Sequence, residues 1–149
     1  MNSSSDGFIN SVGQLFEKFP ALPDTWRETL VKITPVLALI FGILGILVAL
    51  GGLGLLTALS PLAFLAGAPG VSSVGTGFMA MLIFLGASVL MLAAYPGTKG
   101  RKYSGWTLLF WSQVVNLIGG LLTLSSPISK ILGAIIGFYL LFQIKSYYK

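Results

Sequence analysis

Four stretches of the chain are almost free of charged side chains, and their lengths decide what they are. Pro35 to Leu59 reads PVLALIFGILGILVALGGLGLLTAL, and Val74 to Tyr95 reads VGTGFMAMLIFLGASVLMLAAY. A third run covers Tyr103 to Leu124 and a fourth Pro127 to about Ile144. A helix rises ~1.5 Å per residue and bilayer hydrocarbon is ~30 Å thick, so apolar runs of about 20 residues predict membrane-spanning helices. Pro96-Gly97 is a turn signal that should close the second run. Ser125-Ser126 before Pro127 supplies an N-cap and a first-turn proline, which predicts a tight hairpin between the third and fourth spans. The predicted fold class is therefore all-α, an integral membrane four-helix bundle over residues 35–149 with a tail over residues 1–34.

The tail follows a different rhythm. In GFINSVGQLFEKF, Phe8, Val12, Leu15, Phe16 and Phe19 recur at helical spacing. Asn10, Ser11, Gln14, Glu17 and Lys18 fall largely opposite, which predicts an N-terminal amphipathic helix lying in the membrane interface. After FPALP, Thr25 and Glu28 have capping-box spacing, so a short second helix should run towards Pro35 with Trp26 at the interface. The first thirty residues hold no continuous apolar core behind basic residues, so the first span is expected to be retained. All four acidic residues, Asp6, Glu17, Asp24 and Glu28, lie here. Anionic lipid would attract such a tail only weakly, so apolar burial must hold it, or a protein partner docks on it.

Charge adds direction. The chain is 55% hydrophobic and 9% charged, against about 25% charged in soluble domains, so its apolar surface calls for lipid as a partner. Lys18, Arg27 and Lys32, then Lys99, Arg101 and Lys102, then Lys145 and Lys149 fall on one side of four crossings, with Lys130 alone on the other. Loops rich in Lys and Arg stay cytoplasmic, which predicts a plasma (inner) membrane protein with both termini inside. Lys99, Arg101, Lys102 and the aromatic Trp106 are expected to meet inner headgroups. Lys130 should run its stem along the fourth span and place its ammonium among the outer headgroups. Basic residues scattered in this way do not predict nucleic-acid binding.

Small residues mark the faces along which helices approach in lipid. Ala38, Gly42, Gly45, Ala49 and Gly52 draw a four-three-four-three seam along span one, Ala80, Ala87 and Ala94 recur at sevens in span two, and Gly133 and Gly137 bracket GAIIG in span four. We read these as packing faces, with a homo-oligomer contact as the alternative for Gly133 and Gly137. Span three carries Ser112, Gln113, Asn116 and Thr123, which are either interhelical hydrogen-bonding groups or the lining of a polar ligand site.

The stretch GLLTALSP, Gly54 to Pro61, returns as GLLTLSSP, Gly120 to Pro127. Each copy is placed to end an odd-numbered span, so the repeat reflects either a duplicated hairpin or convergent capping. The uncharged connection SPLAFLAGAPGVSSVG after the first copy predicts an interfacial or re-entrant segment.

Chemistry is bounded by what is missing. The chain has no histidine, no cysteine and no acidic residue after Glu28, which removes the usual nucleophiles, acid–base pairs and metal ligands; no cofactor is expected. The aromatic exit GFYLLFQIKSYYK resembles the ends of small uncharacterised four-helix membrane proteins of bacteria. That resemblance covers mainly the last half of the chain and implies a location without an activity. The expected role is a non-enzymatic accessory, scaffold or lipid-organising subunit; the alternative is a small oligomeric permease or pore subunit whose path is lined by the polar residues of span three.

Overall fold

The computed structural model describes residues 3–122 and 127–149. The elements are α1 (Ser3–Phe16), α2 (Asp24–Leu65), α3 (Ala68–Lys99), α4 (Tyr103–Leu122) and α5 (Pro127–Ile144), then a 3-10 turn at Lys145–Tyr147; the described residues contain no strand. Helices α2 to α5 are each long and apolar enough to cross a membrane. They alternate in direction, so α1, the α3–α4 turn and the C-terminal turn share one end, which we call the basic end because every Lys and Arg except Lys130 belongs to it.

Two helices outrun the lengths predicted for them. Helix α2 begins at Asp24 and passes through Pro35, because the buried stripe does not stop there. Val31, Pro35, Ala38, Gly42, Gly45 and Ala49 are all buried, so the four-three spacing of the seam extends a full turn before the proline. An interior proline costs roughly 3 kcal/mol of helix stability, and burial of this whole face offsets it. The Thr25–Glu28 capping box does not form. Pro23 occupies the N-cap position without a side-chain cap, and its carbonyl accepts N–H bonds from Trp26 (3.0 Å) and Arg27 (3.2 Å).

At the opposite end α2 also runs through Ser60-Pro61 to Leu65, so the first GLLT copy lies wholly inside a helix. The chain reverses only at Ala66-Gly67, where Gly67 has φ +73, a left-handed conformation that glycine adopts without a Cβ clash. Residues expected to form an interfacial or re-entrant segment are thus the adjoining turns of two helices. In the second copy, Thr123 to Ser126 and the serine cap lie outside the described residues. Pro96-Gly97 likewise fails to end α3. A Cβ on Gly97 would lie 2.6 Å from Gly105 Cα, so this glycine lets α3 meet α4 backbone to backbone. The turn follows at Gly100 to Lys102, with Arg101 at φ 51.

Packing follows chain order. Helix α2 lies extensively on α3 and α3 on α4, while α2 and α5 meet over a short stretch alone. The four helices form an arc that is barely closed. On its α2 side, a Cβ at Gly42 would lie 2.9 Å from the Leu92 backbone nitrogen, Gly45 faces Ser88, and a Cβ at Gly52 would lie 2.7 Å from Met81 Sδ. Between α3 and α4, buried Ser112 Oγ donates to the Ala87 carbonyl at 2.8 Å.

Helix α1 crosses the α4–α5 pair near the basic end. Ile9 is 0% exposed and belongs to a core with Val31, Trp106, Phe110, Phe138, Ile144 and Tyr148. Phe8 stacks on Trp111 at 6.0 Å and Phe16 on Phe142 at 5.7 Å. The inward residue is Ile9, while Leu15, assigned to the apolar face by spacing, is 67% exposed. After α1, the Pro20 carbonyl accepts the Tyr139 hydroxyl at 2.7 Å and Leu22 N–H donates to Gln143 Oε1 at 3.1 Å, so the link is sewn to α5.

At ~1.5 Å per residue, α2 with 42 residues is about 63 Å long and α4 with 20 residues about 30 Å. Gly119 of α4 meets Ile83, whereas Gly77 and Gly70 of α3 lie farther along against Leu56 and Ala63. Among the described residues, the α2–α3 hairpin therefore extends past the end of α4, with Leu62, Phe64 and Leu65 exposed near its tip.

Replacing Gly45 by Leu is expected to destabilise the protein by about 1–3 kcal/mol through overpacking against α3. Gly51→Leu, at a glycine with nothing within 4 Å of its Cβ position, should change stability little. Unfolding midpoints in a denaturing detergent titration compare the two.

Candidate functional site

The incomplete closure between α2 and α5 leaves a groove of 620 Å³, within the ~300–1,000 Å³ range of small-molecule sites. Leu37, Phe41, Leu44 and Val48 of α2 form one bank and Leu140 and Leu141 of α5 the other. The α2 bank is exposed. Gly45, Ser88, Ser112, Gln113, Asn116 and Gly137 lie across the floor. The two glycines set its depth: Gly45 leaves room for Ser88, and a Cβ at Gly137 would stand 2.5 Å from Gln113 Nε2. The Gln113 carboxamide thus rests on α5 where a larger residue would expel it.

The polar atoms of this floor differ in their commitments. Ser88 Oγ donates to the Phe84 carbonyl within its own helix, and Ser112 Oγ to Ala87 across the α3–α4 contact. Ser112 is therefore an interhelical tie. Gln113 and Asn116 have no hydrogen-bond partner among the described residues. Their amides are half-buried and face free volume. Thr123, the last of the four polar residues singled out in span three, lies outside the described residues.

Asn116 also borders two smaller cavities, of 340 and 260 Å³, and Lys130 lines both. The Lys130 stem lies along α4, with Cδ 3.2 Å from the Cβ position of Gly120. An apolar groove, two amides and one lysine thus follow one another along the molecule. Among the described residues, nothing lies within 4 Å of the Cβ position of Gly133, which borders the 260 Å³ cavity. Of the GAIIG pair, Gly137 alone takes a neighbouring side chain.

At the basic end, one expected headgroup contact is overturned. Trp106 is 0% exposed, and its Nε1–H donates to the Leu141 carbonyl at 2.8 Å. It stacks between Tyr103 (5.6 Å) and Phe110 (5.7 Å), with Phe142 edge-on at 5.5 Å. Burial of a whole indole, with its single polar atom bonded, outweighs any gain from placing it at an interface. Lys99, Arg101 and Lys102 are exposed, and Lys99 Nζ lies 5.8 Å from the Tyr95 ring centroid. The C-terminal strand of chain beside them is pinned by backbone bonds, Tyr103 N–H to the Lys149 carbonyl at 2.9 Å and Lys149 N–H to the Arg101 carbonyl at 3.0 Å.

Those bonds seat Tyr148 in the core, 5% exposed. Its hydroxyl is shielded from solvent with no partner in hydrogen-bond geometry. Burial pushes the phenol above its ordinary pKa, and the nearby Thr34 hydroxyl and Arg101 charge offset part of that rise. Ile9 and Tyr148 lie in the two stretches singled out in the sequence, GFINSVGQLFEKF and GFYLLFQIKSYYK, but spacing did not assign either to the core.

No family model, curated protein or solved structure matches the chain.

Two outcomes follow. Trp106→Phe is expected to cost about 1–3 kcal/mol because it removes the buried indole bond that ties α4 to the Leu141 carbonyl of α5 and puts a smaller ring in its place, measured by denaturant midpoint. A folded-state phenol pKa above the unfolded value stabilises the fold below pH ~10, and that contribution is lost as pH rises through the folded pKa. Melting scans from pH 8 to 11 should show wild type losing stability faster than Tyr148→Phe at the alkaline end.

Proposed function

We propose that the protein is a non-enzymatic, multi-pass protein of a bacterial inner membrane that holds one lipid-class amphiphile in the groove between α2 and α5. The observation that carries this reading is the pair of amides, Gln113 and Asn116, that have no hydrogen-bond partner among the described residues and lie on the floor of a largely apolar groove. In hydrocarbon an amide without a partner costs several kcal/mol. A linear apolar chain bearing an ester, amide or hydroxyl group would satisfy both the banks and the floor. A wholly apolar occupant would leave the amides unsatisfied, and a polar solute would leave the leucine banks without a partner.

The membrane placement rests on the four apolar helices and on the distribution of Lys and Arg, which favours both termini in the cytoplasm. Lys130 then lies towards the outer headgroups, beside the end of the groove marked by Asn116. A scaffold role through α1 has less support, since Ile9, Val12 and Phe16 are spent on the chain's own core. A homo-oligomeric pore would need the polar residues to face a partner copy's path, whereas Ser112 is bound to Ala87 and Gln113 lies against Gly137.

The test is to fill the groove. Protein purified in neutral detergent and stripped by extended washing is expected to retain one lipid per chain in native mass spectrometry. Leu140→Trp should release it, while Ile136→Trp, at an exposed position of the same helix, should keep it. A stripped wild-type protein carrying no lipid, or equal retention by both variants, removes the proposal.

A further inference from the structure

We infer that the molecule has a second, separate ligand site: a cavity beneath α1 at the basic end that binds a phosphate-bearing anion between Arg27 and Lys145. The cavity measures 760 Å³ and is bounded by α1, the start of α2 and the end of α5. It shares no lining residue with the groove between α2 and α5.

The two cations reach this cavity from opposite ends of the sequence and are held differently. Arg27 Nε is out of solvent and has no hydrogen-bond partner among the described residues. Its guanidinium is poorly neutralised, since Asp24 stands 3.8 Å from Nη1 on a side chain that is 92% exposed. An exposed pair at that distance contributes little. A shielded guanidinium N–H without an acceptor is costly, so the arrangement is incomplete as it stands. Lys145 is fixed in place: its Nζ donates to Asn10 Oδ1 at 3.3 Å and lies 5.4 Å from the Trp106 ring centroid and 5.8 Å from that of Phe142. The buried Trp106 thus positions a charge that would otherwise swing on a flexible stem.

The ligand class follows from these groups. A planar guanidinium matches phosphate oxygens with paired N–H donors, and an ammonium supplies a point charge. Gln14 adds a neutral donor on the wall, Gln143 is held to Pro20 and Leu22, and Phe16 and Phe142 give the wall an apolar side. A carboxylate ligand would use the same donors less fully than three phosphate oxygens do. Glu17 also lines the cavity and opposes an anion, which fixes the sign of one test. The shared chemistry is a phosphoryl group, carried either by an anionic phospholipid headgroup or by a free phosphate.

The experiment uses full-length protein in neutral detergent, with ligand retention read by native mass spectrometry and a melting shift. The probes are inorganic phosphate, glycerol phosphate, diacyl phosphatidylglycerol and diacyl phosphatidylcholine. Any of the first three bound in preference to phosphatidylcholine supports the site. Phosphatidylglycerol alone identifies a headgroup, and the two small anions a soluble source. Arg27→Gln and Lys145→Gln are each expected to weaken binding by about tenfold or more, the loss of a charge-assisted hydrogen bond. Glu17→Gln should strengthen it. Lys32→Gln, which removes the same charge from an exposed pair with Glu28, should not change it. Equal weakening by Arg27→Gln and Lys32→Gln would reduce the effect to bulk charge and overturn the proposal, as would no binding above the phosphatidylcholine background. Because Glu17→Gln changes an exposed side chain, a gain in affinity stays readable even if the Arg27 variant folds poorly. Leu140→Trp leaves this cavity intact, so loss of lipid from the groove and loss of anion binding here are separable results.

Discussion

The close approach of α2 to α3 and of α3 to α4 is the constraint on which the rest depends. Gly42 and Gly45 on one contact, and Gly97 with Gly105 on the other, bring helix backbones to distances that no Cβ would tolerate. Helices that approach this closely gain dispersion contact along their whole length, which fixes α2, α3 and α4 as one layer. Helix α5 has no comparable hold on α2. The groove is the space left by that asymmetry, and Gly45 on the α2 side with Gly137 on the α5 side sets its depth.

A second consequence concerns how the basic end is assembled. Three helices in a layer cannot cover the far side of α4, where Trp106, Phe110 and Trp111 project. Helix α1 supplies that cover with Ile9, Phe8 and Phe16, and the C-terminal turn adds Ile144 and Tyr148. The aromatic rings meet at centroid distances of 5.4 to 6.4 Å, inside the range in which edge and offset contacts contribute beyond area burial. Residues from both ends of the sequence close this core, so the tail is a structural part of the fold. The cavity bounded by Arg27 and Lys145 exists because α1 bridges the layer without filling the angle beneath it.

How much of this was legible depends on which signal was in play. Four apolar runs, the alternation of their directions and the span of α5 to Ile144 were readable from hydrophobic length, because hydropathy depends on local composition. The seam from Ala38 to Gly52 was readable as a pattern, and its extension through Pro35 to Val31 was available in the same spacing but hidden by the rule that proline ends helices. Pro61, Pro96 and Gly97 misled for a related reason: each is a local breaker signal, and tertiary contact overrode it. The inward turn of Ile9 and the burial of Trp106 could not be read locally, since both depend on the angle at which α1 crosses α4 and α5. At the candidate site, Ser112, Gln113 and Asn116 were visible as polar residues in an apolar run, but which amide lacks a partner is decided by the neighbours α3 and α5 provide.

The unequal helix lengths carry an implication for the surrounding bilayer. From Ile33 to Leu65 helix α2 holds no charge, an uncharged length of about 50 Å, while α4 and α5 are close to the ~30 Å of ordinary hydrocarbon. Even a tilt of ~40° would shorten the long helix only to about 38 Å. In the membrane placement proposed above, one flank of the protein is matched to its bilayer and the other is too long for it. Lipids bordering the α2–α3 hairpin must stretch or its apolar tip must stand clear of them, and either response makes the protein a local step in membrane thickness. Such a step favours thicker membrane regions and the company of other mismatched helices, so the geometry of one hairpin bears on where in the membrane the protein resides.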